Sequence, residues 1–312
     1  MAHRILDLGY WILDLARPGA RARRSRVGAR QAEGASNPKS KIQNPKSWLA
    51  PALTVVILVA AWELIAFVRL NGLEEGTFAY RQQQSYLPYA HKVLEAYVNN
   101  AGSFWDAGVV TFGNAFVGFV IGALVGYGLA LVMSRALWVA RSFYVYIIGS
   151  QMVPVIALAP ILYGIIKDET ILKITVAAYL TFFPVTVNVL RGLRSVDPRA
   201  LDLMHSYAAS TVEVYSKLRM PASLPFLFNA LKIASTISLI GAIVSELMGG
   251  NKGLGVLILT LQYNSYGGSD KLFALVIEVA AIGMLFFGLV SLAERLLVPW
   301  QPEFRREQGR SG

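Results

Sequence analysis

Three acids stand inside apolar stretches of this sequence: Glu63, Glu246 and Glu278. An ionised side chain near the centre of a membrane-spanning helix costs about 2.5–3.5 kcal/mol on insertion scales, so each such acid calls for a role. Glu246 stands just before Gly249, Gly250, Gly253 and Gly255. A glycine-rich turn of that kind can dip back into a wet cavity with its backbone groups lining the wall, which makes Glu246 and the four glycines candidates for a translocation path or gate. An acid solvated at a helix end, or paired with Lys252, explains Glu246 equally well. Glu63 reads as a pairing or snorkelling group, and Glu278 as an acid that meets the solute or, equally, a structural hydrogen-bonding group facing the bundle interior. Gln151, Pro154 and Pro160 are candidate lumen residues, although a packing kink accounts for the prolines.

Enzyme chemistry finds no foothold. His3, His91 and His205 lie far apart, no nucleophile–base or paired-carboxylate arrangement is present, and no cysteine occurs. Thiolate catalysis, disulfides and zinc–thiolate sites are thereby excluded. The pattern G-x-x-x-x-G-K-[ST] is also missing, so this chain has no phosphate loop with which to cradle ATP. No cofactor and no metal site is expected.

The elements that must position the acids are long and greasy. The 312 residues are 55% hydrophobic and 15% charged, with mean hydropathy +0.49, against roughly 25% charged in ordinary soluble domains. A helix crosses a ~30 Å hydrocarbon core with about 20 apolar residues. Six such runs lie at about Trp48–Val68, Ala107–Met133, Val139–Ile166, Ile171–Leu190, Phe226–Met248 and Leu272–Leu297. The expected fold is all-α, a polytopic membrane protein with six transmembrane helices. The third run is read as one bent span, because Pro154 and Pro160 each remove a backbone donor. A short surface helix is expected near His91–Val98. Gly118, Gly122 and Gly126 recur once per turn on one face of the second span and mark a close helix–helix contact.

Residues 1–47 hold ten Lys or Arg against three acids and carry a duplicated Asn-Pro-Lys-Ser, at Asn37–Ser40 and Asn44–Ser47. That stretch reads as a flexible basic extension, with the patch Ile5–Ala16 either an interfacial helix or part of an overlong start. Residues 48–300 form the membrane domain and 301–312 a tail. Arg135, Arg141, Arg191, Arg194, Arg199, Lys217 and Arg219 lie in alternate loops, which by the positive-inside rule places both termini in the cytoplasm. The formal charge of +10 then reflects topology and affinity for anionic lipid headgroups, not nucleic-acid binding.

One polar insert, Met204–Pro225, separates the fourth and fifth spans. Asp197 as N-cap with Pro198 at the first helical position predicts a short helix to about Ala208. Ser210-Thr211-Val212-Glu213 fits a capping box that opens a second helix ending before Pro221. Two short helices meeting at an elbow expose their own side chains. Such an elbow fits a partner's groove, or else lies as an amphipathic connector on the headgroups.

The elbow, with the following Ala230–Ile258, resembles the permease subunits of binding-protein-dependent ABC importers, in the branch that handles nitrate, sulfonates, taurine and vitamin precursors. That family's loop reads E-A-A, three residues, G, eleven residues, Leu-Pro. Here Asp202, Leu203 and Met204 stand at the first three positions, Ala208 at the glycine and Met220-Pro221 at the Leu-Pro. The resemblance extends through Asn188–Ser210, through Val153–Ile165 and through Ser245–Gly255, and spans about residues 48–300.

The resemblance implies an inner- or plasma-membrane permease, itself no enzyme, that works with separate ABC ATPase subunits, an extracytoplasmic solute-binding protein and a second permease copy as a homodimer. It makes the elbow the coupling loop, with Asp202, His205, Ser206, Ala208, Ser210, Glu213, Lys217 and Pro221 as its contact and shaping residues. In the related family that glycine permits the turn, and Ala208 would have to adopt it at a cost of roughly 1 kcal/mol or more. A lone acid near the mouth and no basic pore residue favour a neutral aromatic solute such as riboflavin or the thiamine pyrimidine precursor over nitrate, taurine or another sulfonate. A secondary transporter or channel is the rival reading, and it leaves the elbow unexplained.

Overall fold

The computed structural model describes residues 49–74, 77–264 and 269–300. The basic extension with its Asn-Pro-Lys-Ser repeats, and the tail 301–312, lie outside the described residues. The chain divides between Leu58 and Val59 into two units. Of the first unit, residues 51–58 open helix α1 (Leu49–Leu70) and are exposed along their whole length. A run of Val, Leu and Ile exposed on every face is what lipid, rather than water, tolerates.

The second unit is helical throughout its described residues. After α1 come α2 (Phe78–Tyr86), α3 (Ala90–Arg135), α4 (Leu137–Gln151), α5 (Val155–Ile166), α6 (Glu169–Arg194), α7 (Pro198–Ser206), α8 (Thr211–Val214), α9 (Met220–Gly249), α10 (Leu254–Asn264) and α11 (Ser269–Leu297). Among the described residues five helices are long and apolar enough to cross a membrane, and the α4–α5 pair makes a sixth if taken as one broken span. The all-α polytopic reading is therefore correct.

Two expected boundaries change. The short helix near His91–Val98 is instead the first two turns of the 46-residue α3. Glu63 accepts the Ala90 amide at 2.7 Å and pairs with His91, so this acid caps the start of α3. The third span is not a gentle bend: α4 and α5 meet at 95°. Pro154, which has no N–H to continue α4, is the N-cap of α5, whereas Pro160 sits inside α5. Tyr179 of α6 donates its hydroxyl to the Ser150 carbonyl, which at the break accepts the Val153 amide, at 3.4 Å, in place of the regular helical bond that Pro154 cannot give.

Helix α6 is packed between α3 and α9. Gly118, Gly122 and Gly126 form the α3 side of that contact: a Cβ on Gly122 would lie 2.5 Å from the Ala178 carbonyl oxygen and 2.7 Å from Thr181 Cβ. The predicted close approach is real, and its partner is α6. One apolar cluster, around Met133, Val189, Leu193, Phe228 and Phe286, fills the half nearest α7 and α8. A second, around Val93, Phe104, Leu254, Leu275 and Ile282, fills the half nearest α10.

Candidate functional site: the elbow and the glycine turn

The elbow begins where the sequence expects. Asp197 accepts the Arg199 amide at 2.9 Å and Pro198 holds the first turn of α7. The helix closes in a Schellman motif, with the Ala209 amide donating to the Met204 carbonyl (3.0 Å) and the Ala208 amide to the His205 carbonyl (2.9 Å). Ala208 takes the left-handed conformation that motif needs, at φ +52°. Its methyl group makes that geometry costly, so Ala208→Gly is expected to stabilise the protein by about 1 kcal/mol, a rise of roughly 2–4 °C in a thermal melt in detergent. An unchanged or lower midpoint would contradict the strain.

Beyond the turn, Ser210 and Glu213 form the reciprocal capping box: Glu213 accepts the Ser210 amide at 2.9 Å, and Ser210 Oγ accepts the Glu213 amide at 3.3 Å. Lys217 adds an exposed pair to Glu213 at 3.0 Å, worth little in water. Pro221 does not end this second helix. A π turn over Tyr215–Arg219, in which the Met220 amide reaches back to the Tyr215 carbonyl, widens the backbone and carries α8 into α9 without a break. That widening makes room for a ring that lacks its N–H.

Asp202, His205, Ser206, Ala208, Ser210 and Lys217 are exposed, Glu213 and Pro221 half-buried, and α7 buries no residue. Among them stand three large apolar side chains, Leu203 (57% exposed), Tyr207 (76%) and Val212 (72%). The base of the elbow is braced. Arg194 donates to the Met133 carbonyl at 3.0 Å, Ser134 shares a 2.8 Å hydrogen bond with the Tyr215 hydroxyl, and Arg219 stacks 5.0 Å over the Tyr215 ring.

At the far end of the same helices the four glycines form a turn built around Glu246. That acid is 1% exposed. It accepts from the Thr111 hydroxyl at 2.9–3.0 Å and from the Gly255 amide at 2.9 Å, while Thr111 accepts the Leu254 amide at 2.8 Å. Thr111 and Glu246 together cap the start of α10. Gly253, at φ +122°, leaves the space in which the carboxylate sits, for a Cβ there would lie 2.1 Å from Glu246 Oε1. Gly249 faces the Tyr163 ring, and Gly255 lies against the Ile243 carbonyl.

Neither alternative for Glu246 holds: it is neither solvated at a helix end nor paired with Lys252, because it is buried and the Thr111 hydroxyl and the Gly255 amide already occupy it. The Lys252 carbonyl accepts instead from Lys173, and the Asn251 amide donates to Glu169, both at 2.8 Å. Beside the turn a cavity of about 750 Å³ opens between α3 and α10, lined among others by Trp105, Asp106, Asn251, Lys252, Gly253 and Thr260.

Residues 111–300 match the family described as binding-protein-dependent transport system inner membrane component. The chain belongs to this family. It is 30% identical over 256 residues, 81% of its own length and 96% of the relative's, to the formylaminopyrimidine transport permease protein ThiX of Halalkalibacterium halodurans. It is 23% identical over 266 residues, 84% and 94% of the two chains, to the nitrate import permease protein NrtB of Synechocystis. The fold is similar to that in the crystal structure of an amino acid ABC transporter with histidines, with a TM-score of 0.53 and 20% identity over 64% of this chain and 96% of that one. An inner-membrane permease component of the ABC importer family is what the spans, the elbow and the glycine turn compose.

In the permease, Gln151 and Pro154 lie at the break between α4 and α5. Pro154 is an exposed cap, and the Gln151 amide nitrogen is buried without a hydrogen-bond partner. Glu278 accepts from the Tyr97 hydroxyl at 2.7 Å, a structural bond between α11 and α3. Sequence reasoning passed over Thr111, Glu294 and two lysines. Lys173 is 4% exposed, and Lys232 of α9 pairs with Glu294 of α11, itself 1% exposed. Two lysines do therefore lie within the spans: the Lys252 carbonyl accepts from one, and the Glu294 carboxylate pairs with the other. The charges at 173, 232 and 294, set inside otherwise apolar runs, were the available signal.

Proposed function

We propose that two copies of this permease enclose a path for a small neutral heteroaromatic solute, delivered from outside by a binding protein and driven by separate ATPase subunits that grip the elbow from the cytoplasm. The elbow's exposure of Leu203, Tyr207 and Val212 around the Ala208 turn carries this reading. Rigid aromatic and aliphatic anchors on an otherwise polar knuckle suit a partner's pocket. Bracing by Arg194, Ser134 and Tyr215 makes the elbow stiff, so a partner's movement is passed to α6 and α9, which are joined to its two ends. In this arrangement both termini are cytoplasmic, the glycine turn faces outward, and the cavity beside it belongs to the outer mouth.

The solute class is supported by the relative named for formylaminopyrimidine, which aligns over nearly its whole length, and by the pairing of Lys232 with Glu294 and the burial of Lys173 against the Lys252 carbonyl, which leave neither ammonium open to nitrate or a sulfonate. Because the chain has no cysteine, Ser210→Cys carries a single crosslinker. In membranes holding the assembled transporter it is expected to capture the ATPase subunit. Capture of no nucleotide-hydrolysing protein would refute the elbow reading. Uptake into vesicles challenged with formylaminopyrimidine, riboflavin, taurine and nitrate tests the solute, and competition by nitrate or taurine alone would overturn the neutral class.

A further inference from the structure

Helix α6 touches both functional regions, and its contacts at the glycine turn are unusual for a membrane helix. It runs unbroken for 26 residues, from Glu169 to Arg194, about 39 Å at 1.5 Å per residue. At one end Arg194 and Ser195 lead directly into α7. At the other, Glu169 takes the Asn251 amide and Lys173 donates to the Lys252 carbonyl. These two bonds fall on consecutive residues of the turn, one on an amide and one on a carbonyl. They pull on the backbone itself rather than on a side chain that could swing away.

The Lys173 position is costly for mere packing. A lysine buried to 4% exposure within a span could be replaced at a lower desolvation cost by a neutral donor. The face of α3 that meets α6 is a track of glycines set against the α6 backbone, at Gly118, Gly122 and Gly126. No side chain of α3 interlocks with α6 at those three positions, and small sliding of packed helices is the shear mode available to such a contact. A displacement of the elbow along α6 therefore arrives at residues 251 and 252. From there it passes through Gly253 to the Glu246 and Thr111 cap of α10.

We propose that Glu169 and Lys173 are positioning residues that tie the glycine turn to α6, so that movement of the elbow shifts α10 and the cavity beside it. This rests on the elbow reading above. The experiment uses the reconstituted permease–ATPase complex carrying Thr260→Cys on α10, an exposed position in a chain without native cysteine, and measures its maleimide labelling rate with and without ATP. In this parent the rate is expected to change with ATP by about tenfold; adding Lys173→Met or Glu169→Leu, neither of which keeps a bond to the turn, reduces that response to about twofold or less with assembly and basal ATP hydrolysis retained, and Lys173→Arg restores it.

An ATP response in both tie variants equal to the parent's would overturn the tie while leaving the elbow standing. A response that persists in Glu213→Lys, in the elbow, while Lys173→Met abolishes it would refute the elbow reading instead. No response in the parent would refute the tie outright. If Lys173→Met fails to assemble, Glu169→Leu, at a half-exposed position, decides alone.

Discussion

Lys232→Met is expected to destabilise the permease by about 3–5 kcal/mol. Glu294 is 1% exposed, Lys232 is its ion-pair partner, and its second oxygen, Oε1, has no hydrogen bond. Removing the ammonium leaves an acid inside a span with nothing to compensate it. Two charges taken out of water together cost far less than one taken out alone, and an apolar pair of similar volume is often no worse than the ions. Lys232→Met with Glu294→Leu is therefore expected to recover most of the loss. Unfolding of the purified protein by SDS in mixed micelles reads both variants. A single variant as stable as the parent, or a double variant no better than the single, would show that the pair does not hold α9 to α11.

What could be read from the sequence divides by the distance over which each interaction acts. The caps of the elbow, Asp197 to the Arg199 amide and Ser210 to the Glu213 amide, close within three residues, so residue types in order suffice to place them. The spans are legible because their length is set by the bilayer and not by neighbours. Ala208 is legible for the same local reason: a helix ending in that motif needs a left-handed residue, whichever residue supplies it. The glycine turn is different. Glu246 is held by Thr111, 135 positions away, and Lys252 by Lys173, 79 away. Nothing near Thr111 distinguishes it from any hydroxyl on a membrane helix, and the acid alone does not reveal what fills it. Pro221 misled in the opposite sense. Proline breaks a regular α-helix, but a π turn one step earlier absorbs it, and that choice depends on how α9 packs.

Gly253→Ala is expected to abolish uptake while the permease stays in the membrane. Two independent costs meet at this residue. Its φ of +122° lies where an L side chain is strained by about 1–3 kcal/mol, and its added methyl carbon would lie 2.1 Å from Glu246 Oε1. The carboxylate must leave, because the methyl cannot move without the backbone. Once displaced it loses the Thr111 hydroxyl and the Gly255 amide, and the Leu254 amide can lose its acceptor as Thr111 follows; each buried group left unsatisfied costs about 1–3 kcal/mol. The sum is enough to undock the start of α10, while the two clusters that hold the long helices together lie mostly elsewhere. Adding Glu246→Ala to Gly253→Ala removes the collision but not the strain or the missing cap, so uptake is expected to stay lost in the double variant even as its thermal midpoint recovers. If the double variant transported normally, Glu246 would be an obstacle that the glycine merely avoids rather than the peg on which α10 hangs.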